Sequence, residues 1–423
     1  MDRDDQSRSG GLKAAAVLDS GAAAGRTRQG VANDPGGRID AVLRRAVEDR
    51  EVPGVVAMAA SDTDVLYEGA FGSRALGQAA PMTLDTVFRI ASMTKAITSV
   101  AAMQLVEQGK LALDAPVPAI DPALASPQVL ERFDAAGAPV LRPAKCPITL
   151  RHLLTHSAGF SYETWNPDVG RYVRATGMPS TGTGRIASLR LPLVFDPGER
   201  WEYGINIDWV GRIVEEVGGQ RLDAYFRDRI FAPLGMADTG FVPSAEQRMR
   251  QASVHQRNSD GGLEAQPLDT PSTPEFWAGG GGLYSTAPDY IRFVRMLLNA
   301  GSLDGARVLK PETVALMNRN HLGDLPAGLM KTAMPDRSND VDFFPGQDLR
   351  WGLGYMLSQQ PGPNGRSAGS VTWAGIFNSY YWVDPARRIG GVIMTQILPF
   401  ADHAVVGLYG RFERAVYDMT SAG

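Results

Sequence analysis

Ser92 and Lys95 stand one helical turn apart in the stretch Ser92-Met93-Thr94-Lys95. That spacing puts a hydroxyl and an ammonium on one face of a helix. A serine beside a basic group at the positive end of a helix is an activated nucleophile for acyl chemistry. The pattern alone is weak, because four residues with two fixed recur by chance and a serine opening a helix is ordinarily a cap. Covalent serine chemistry also needs a proton acceptor and donors for the oxyanion. Histidine is the usual acceptor, yet the five histidines are poorly placed. His152 and His156 flank a short apolar helix as core or capping residues, His255 and His403 have polar neighbours, and His321 begins a loop. Tyr203 is the better candidate. It follows the loop Phe195–Glu202 and precedes a helix, so its phenol can project. A nearby lysine lowers the pKa of a phenol towards that of a useful base, and Lys95 can supply the charge. The competing reading is a tyrosine packed on Trp201 and Trp209. At Trp373-Ala374-Gly375-Ile376 a glycine at a strand end lets the backbone approach a ligand, with the next amide facing it. The competing reading there is a strand bulge.

A second serine lies in Gly365-Arg366-Ser367-Ala368-Gly369, a formal G-x-S-x-G match. That motif works as a sharp turn from a buried strand into a helix. Here a Pro- and Gly-rich loop precedes it and a strand pattern follows, so Ser367 reads as a loop residue.

The elements that must position these groups follow from periodicity. Ile97, Val100, Ala101 and Leu105 continue the Ser92 stretch as a buried helix up to Gly109. A helical stripe over Ile39–Val47 precedes a hairpin of Val55–Ala60 and Val65–Ala70. Thr149–His156 reads as a short helix capped by Thr149, Tyr162–Ser188 as loop, and Ile207–Val217 and Leu222–Ile230 as helices. Gly279–Gly282 lets the backbone approach a neighbour closely but lacks the Gly-Lys-Ser/Thr of a phosphate loop. Asp289–Leu298 is helical. Strand patterns cover Trp351–Leu357, Ser370–Trp373, Ser379–Val383 and Ile389–Thr395, and Val405–Met419 closes the chain as a helix. Strands at both ends and helices between them predict an α/β fold of the α+β type. An antiparallel sheet built from both termini would be flanked by helices, with a mostly helical region inserted. The expected division is residues 35–110 and 272–423 as the α/β part, 111–271 as the helical region, and 1–34 as a disordered Gly-, Ala- and Arg-rich tail.

Composition narrows the setting. The chain has 423 residues, 44% hydrophobic and 21% charged, with a net charge of -4. That balance offers no basic surface for nucleic acid and no cationic face for a membrane. The single cysteine, Cys146, excludes a disulfide framework and fits a reducing, cytoplasmic compartment. No metal-ligand cluster or cofactor motif is evident, so no cofactor is expected. A small-molecule substrate is the expected partner.

Taken together, Ser92-Met93-Thr94-Lys95, Tyr203 after Asp196-Pro197-Gly198-Glu199-Arg200-Trp201, and Trp373-Ala374-Gly375 resemble the serine β-lactamase-like superfamily, in its order. Thr149–Gly159, Pro233–Met236 and Gly279–Asp289 extend the likeness from about Ile39 to the C-terminus. The pattern is most similar to the class C β-lactamase-like esterases called family VIII carboxylesterases. The resemblance implies Ser92 as nucleophile, Lys95 and Tyr203 as shared general base, and an oxyanion hole from the N–H groups of Ser92 and Ile376. Trp373, Gly375 and Asn206 would then contact substrate. Two departures matter. Asn206 stands one residue beyond the Asn of Tyr-x-Asn, and Trp373 replaces the lysine of Lys-Thr-Gly. Losing that cation weakens carboxylate recognition and points to neutral esters with short to medium acyl chains. Lys331-Thr332-Ala333 lacks a strand and is discounted. A β-lactamase or D-amino-acid peptidase, an acyltransferase to an alcohol, and a non-catalytic penicillin-binding-like protein are the other readings.

Overall fold

The computed structural model describes residues 35–268 and 273–421. The expected tail lies outside them. Seven antiparallel strands form the main sheet, in the order Leu349–Trp351, Met356–Ser358, Val371–Gly375, Ser379–Asp384, Ile389–Met394, Gly54–Ser61 and Val65–Gly72. The N-terminal hairpin joins the C-terminal strands through Gly54–Ser61, where Met58 lies opposite Val392. Sheet formation therefore closes the two chain ends on each other, as the sequence pattern predicts.

Every residue from Val55 to Ala60 is buried, so both faces of the sheet are covered. Neighbouring residues of one strand show what covers each face. Gly390 lies against Val294 of the helix Ala287–Leu298. Gly391 points the other way and leaves room for the Trp382 indole, which packs on Tyr409 and Phe412 of the helix His403–Ser421. A side chain at Gly391 would stand 2.2 Å from that ring. The helix Pro35–Glu48 packs beside His403–Ser421.

The helix Thr94–Glu107 is buried from Thr94 to Leu105 and packs on Asn206–Gly218. A helix covered all round has no solvent to satisfy its polar side chains. Thr98 accordingly donates to the Gly279 carbonyl at 2.6 Å and Gln104 to that of Val308 at 3.0 Å.

Four local expectations are corrected. Trp351–Leu357 is not one strand: Gly352 and Gly354 turn the chain, and Trp351 pairs with Met356. Tyr162–Ser188 contains a helix, Pro167–Thr176, capped by Asn166 and ended by Gly177 at φ 67°. Its apolar stripe is weak because it lies on the surface, but the Asn-Pro start and Gly stop were readable. The inserted region holds a hairpin, Gln128–Phe133 with Pro139–Pro143, whose exposed face shows little alternation. Val254–Arg257 with Leu263–Gln266 is a further missed pair. Among the described residues no helix is long and apolar enough to cross a membrane.

Candidate active site

Ser92 sits in a tight 3-10 turn, Ala91–Met93, that runs straight into the helix Thr94–Glu107. Ala91 holds φ at +43°, in the left-handed region that costs a residue with a β-carbon. The strained residue immediately precedes the hydroxyl, which is exposed to a cleft of about 330 Å³. Ser92, Tyr162, Asp208, Phe276 and Ile376 line that cleft.

Lys95 is fully buried one turn further on. Its Nζ donates to Ser92 Oγ at 3.2 Å, to the Tyr162 hydroxyl at 3.2 Å and to the Gly280 carbonyl at 2.7 Å. Three N–H donors thus meet three oxygens, as a buried ammonium requires. The nearest carboxylate is Asp208, buried in the first turn of Asn206–Gly218. Asp208 accepts the Gly280 N–H at 2.8 Å, and its charge acts on the neighbouring Tyr162 phenol. Burial pushes the Asp208 carboxyl above its ordinary value, and the charge on Lys95 pulls the other way. Burial and the Asp208 charge push the Tyr162 phenol well up, so it stays protonated.

Tyr203 comes to the same place differently from expectation. Lys95 Nζ lies over the face of its ring, 4.7 Å from the centroid. Its hydroxyl instead accepts from Trp373 Nε1 at 3.1 Å. The ring is wedged among Tyr162, Trp165, His156 and Trp373. His156 accepts from the Gly204 N–H and the Asn206 side-chain amide at Nδ1, which leaves its proton on Nε2. Burial, and then Lys95, press its pKa well down. A neutral imidazole behind Tyr203 braces that loop and does not reach Ser92 as a base.

Two residues expected to contact substrate lie outside the cleft lining. Trp373 is 2% exposed and does not line the cleft. Its indole lies behind Tyr203 against Trp351 and Phe343, beside a separate enclosed cavity of about 60 Å³. Asn206 is fully buried and spends its amide on Phe160 and His156. Two arginines, Arg89 and Arg337, are among the residues lining the cleft, so tryptophan at position 373 does not leave that lining without charged residues. Arg89 donates to the Leu268 carbonyl at 2.6 Å. Gly375 ends the strand Val371–Gly375, and the following residue, Ile376, is on the cleft wall. A β-carbon on Gly375 would lie 2.4 Å from the Ile90 carbonyl oxygen.

The discounted motifs stay outside the site. Ser367 lies in a loop that leads into a strand, its N–H bonded to Asp384 at 2.8 Å. The loop is pinned by the buried Arg366–Glu413 ion pair. Lys331 pairs with Asp340 at the surface. His152 completes the Thr149 cap.

Tyr162, Asp208 and Gly280 were not expected in these roles. Asp208 carried a signal, as an acidic residue among the apolar positions Ile207, Trp209 and Val210. Gly280 lay in the glycine run noted for close approach. Tyr162 carried none, since a loop aromatic has no distinguishing spacing.

Residues 39–415 match the model of the Beta-lactamase family, and the chain belongs to that family. It is 32% identical to monacolin J acid methylbutanoyltransferase of Aspergillus terreus over 96% of this chain and 99% of that one. It is likewise 32% identical to lovastatin esterase of Penicillium rubens, over 91% of this chain and 99% of the relative. A mutant of simvastatin synthase from Aspergillus terreus superposes with a TM-score of 0.80 at 33% identity, covering 93% of this chain and 97% of that structure. The chain is therefore a β-lactamase-like serine hydrolase or acyltransferase.

Proposed function

We propose that the protein performs acyl transfer from carboxylic esters through a covalent intermediate on Ser92, with water as its principal acceptor. The observation that carries this reading is Lys95 Nζ, buried and held 3.2 Å from the Oγ of Ser92, which lines an open cleft. Ser92 Oγ attacks the ester carbonyl while its proton passes to the Lys95–Tyr203 pair. The carbonyl oxygen becomes an oxyanion facing the N–H groups of Ser92 and Ile376, each such donor being worth about 2.7–4 kcal/mol in the transition state. The alkoxide leaves with the proton, and water then releases the acid. Family membership supports serine acyl chemistry, and a relative named as an esterase supports ester cleavage.

A second reading has equal support from a relative named as a methylbutanoyltransferase: an alcohol replaces water in the second step. A lactamase or peptidase is disfavoured by the missing Lys-Thr-Gly. The test is turnover of p-nitrophenyl acyl esters of graded chain length, with and without an added alcohol. Ser92→Ala is expected to abolish turnover and Ser367→Ala to leave it nearly intact. The opposite pattern refutes the assignment. A new ester as main product would give the transferase reading priority, and faster turnover of a chromogenic cephalosporin would overturn both.

A further inference from the structure

The Ser92–Lys95 pair raises a question that the nucleophile alone does not answer: what holds a buried ammonium within reach of the serine. Each of its oxygens must present a lone pair to it. Ser92 can do so by rotation of its hydroxyl. Tyr162 can accept from Lys95 only if its own proton points elsewhere, which the negative charge of Asp208 nearby favours. Gly280 can accept only if its carbonyl is held in place, and its N–H is anchored on Asp208 Oδ1 at 2.8 Å. One buried carboxylate thus anchors the glycine whose carbonyl holds Lys95 and supplies the opposite charge.

We infer that Asp208 is a positioning residue for the acyl-transfer site, acting through Gly280 to orient Lys95 and through its charge to compensate the ammonium. The inference rests on Ser92 being the nucleophile. It assigns Tyr162 a distinct part from Tyr203. Tyr162 accepts from the ammonium at its hydroxyl, whereas Tyr203 offers Lys95 its ring face.

The consequence is a specific pH dependence. The titratable groups facing Lys95 are His156 and Tyr162 after the helix Leu150–Leu154, Tyr203 on the loop before Asn206, and Asp208 on Asn206–Gly218. His156 is neutral and the Gly279–Gly282 segment carries no charge, so Asp208 is the anion of the set. Lys95 must be neutral to take the proton of Ser92. A carboxylate beside it favours the charged form and keeps the acid limb of the rate profile high. Removing that carboxylate takes the opposite charge from beside the base, and the limb moves to lower pH.

Ser92 labelling by a fluorophosphonate, followed by intact mass, reads this without knowledge of the substrate. Rates are measured from about pH 5 to pH 10 for the wild type, Asp208→Asn and Tyr162→Phe, with melting temperatures recorded alongside. For Asp208→Asn the acid limb is expected to fall by about one to three pH units, the range for loss of a close opposite charge. The plateau rate should drop about 10- to 100-fold, as the misplaced amine engages Ser92 less often. Tyr162→Phe removes one acceptor from the ammonium and should also lower the limb. It carries the test should Asp208→Asn fail to fold. A uniform loss of rate with the limb unmoved in the folded variants means a merely structural role and overturns the inference. An unlabelled wild type overturns instead the reading of Ser92 on which it rests.

Discussion

Gly375→Ala is the substitution that most directly tests how the sheet and the nucleophile turn share one site. The φ of Gly375 lies outside the left-handed region, so alanine's backbone preference is not the obstacle. The obstacle is contact. The added carbon would stand 2.4 Å from the Ile90 carbonyl oxygen and 3.1 Å from its carbon, where real contacts essentially never fall below 3.0 Å. Both sides are backbone, so no side chain can swing aside. Gly375 is paired with Ser379 in the sheet. The Ile90 carbonyl accepts the Met93 N–H at 3.1 Å and so opens the turn that carries Ser92. Relief requires the strand end and that turn to part by about 0.6 Å or more, taking 3.0 Å as the closest tolerable approach. The parting widens the space between the N–H groups of Ser92 and Ile376. Misplacement on this scale costs roughly 100-fold in rate. Complete loss of one oxyanion donor would cost about 2.7–4 kcal/mol, or roughly 100- to 1,000-fold. The expected result is therefore a kcat on p-nitrophenyl butyrate lowered about 100-fold, with KM nearly unchanged because the cleft walls stay in place. Crowding should cost about 1–3 kcal/mol of stability, visible as a lower melting temperature. Circular dichroism at the assay temperature separates the two effects. A folded Gly375→Ala protein with a kcat within about twofold of wild type would refute the shared geometry.

Two further outcomes test the surroundings. Tyr203→Phe should lower kcat by about 100- to 10,000-fold if the phenol serves as a base, and leaves the buried Trp373 N–H without its acceptor, costing about 1–3 kcal/mol in urea unfolding; an unchanged kcat would leave Lys95 as the sole base. Asp289 is a buried carboxyl pushed up from 3.8 to about 6, mainly by desolvation. Its folded-state pKa is raised, so its contribution is fully present below about pH 4 and is lost as pH rises through about 6. The stability of wild type relative to Asp289→Asn should therefore decline from about pH 4 to pH 7, by on the order of 2–3 kcal/mol. A pH-independent difference in urea midpoint would contradict that.

Much of this architecture was legible because its signals are local. The strands Ser379–Asp384 and Ile389–Met394 flank a turn, and Asn206–Gly218 shows apolar residues at helical spacing before a glycine stop. Elements whose stabilisation is not local escaped. In the hairpin Gln128–Phe133 with Pro139–Pro143 only the adjacent Val129 and Leu130 are buried, so no alternating face marks it. The site divides the same way. Ser92 and Lys95 were readable because one helix turn fixes their spacing. Tyr162 and Asp208 meet Lys95 only after the loop beyond Leu150–Leu154 folds against Asn206–Gly218, and no sequence interval encodes that meeting. Trp373 shows the opposite failure. Its place in the motif was clear, but strand pleating and the packing of Tyr203 turn its indole away from the cleft.

That division bears on how hydrolysis and transfer are told apart. The two reactions share their first half, since Ser92, Lys95 and the oxyanion donors act on the ester before any acceptor arrives. They part when water or an alcohol approaches the acylated serine. The choice must therefore be made by groups other than Lys95 that an acceptor in the cleft can meet, and its lining includes Arg337, Phe276 and Trp165. These residues come from loops that neither the helical turn of Ser92 nor the sheet constrains. The catalytic core can thus stay fixed while the acceptor changes. Substitutions at Phe276 or Arg337 should alter the ratio of acid to ester product without altering the rate of Ser92 acylation, which a burst of p-nitrophenol measures directly. A change in burst rate equal to the change in product ratio would place acceptor choice in the core after all.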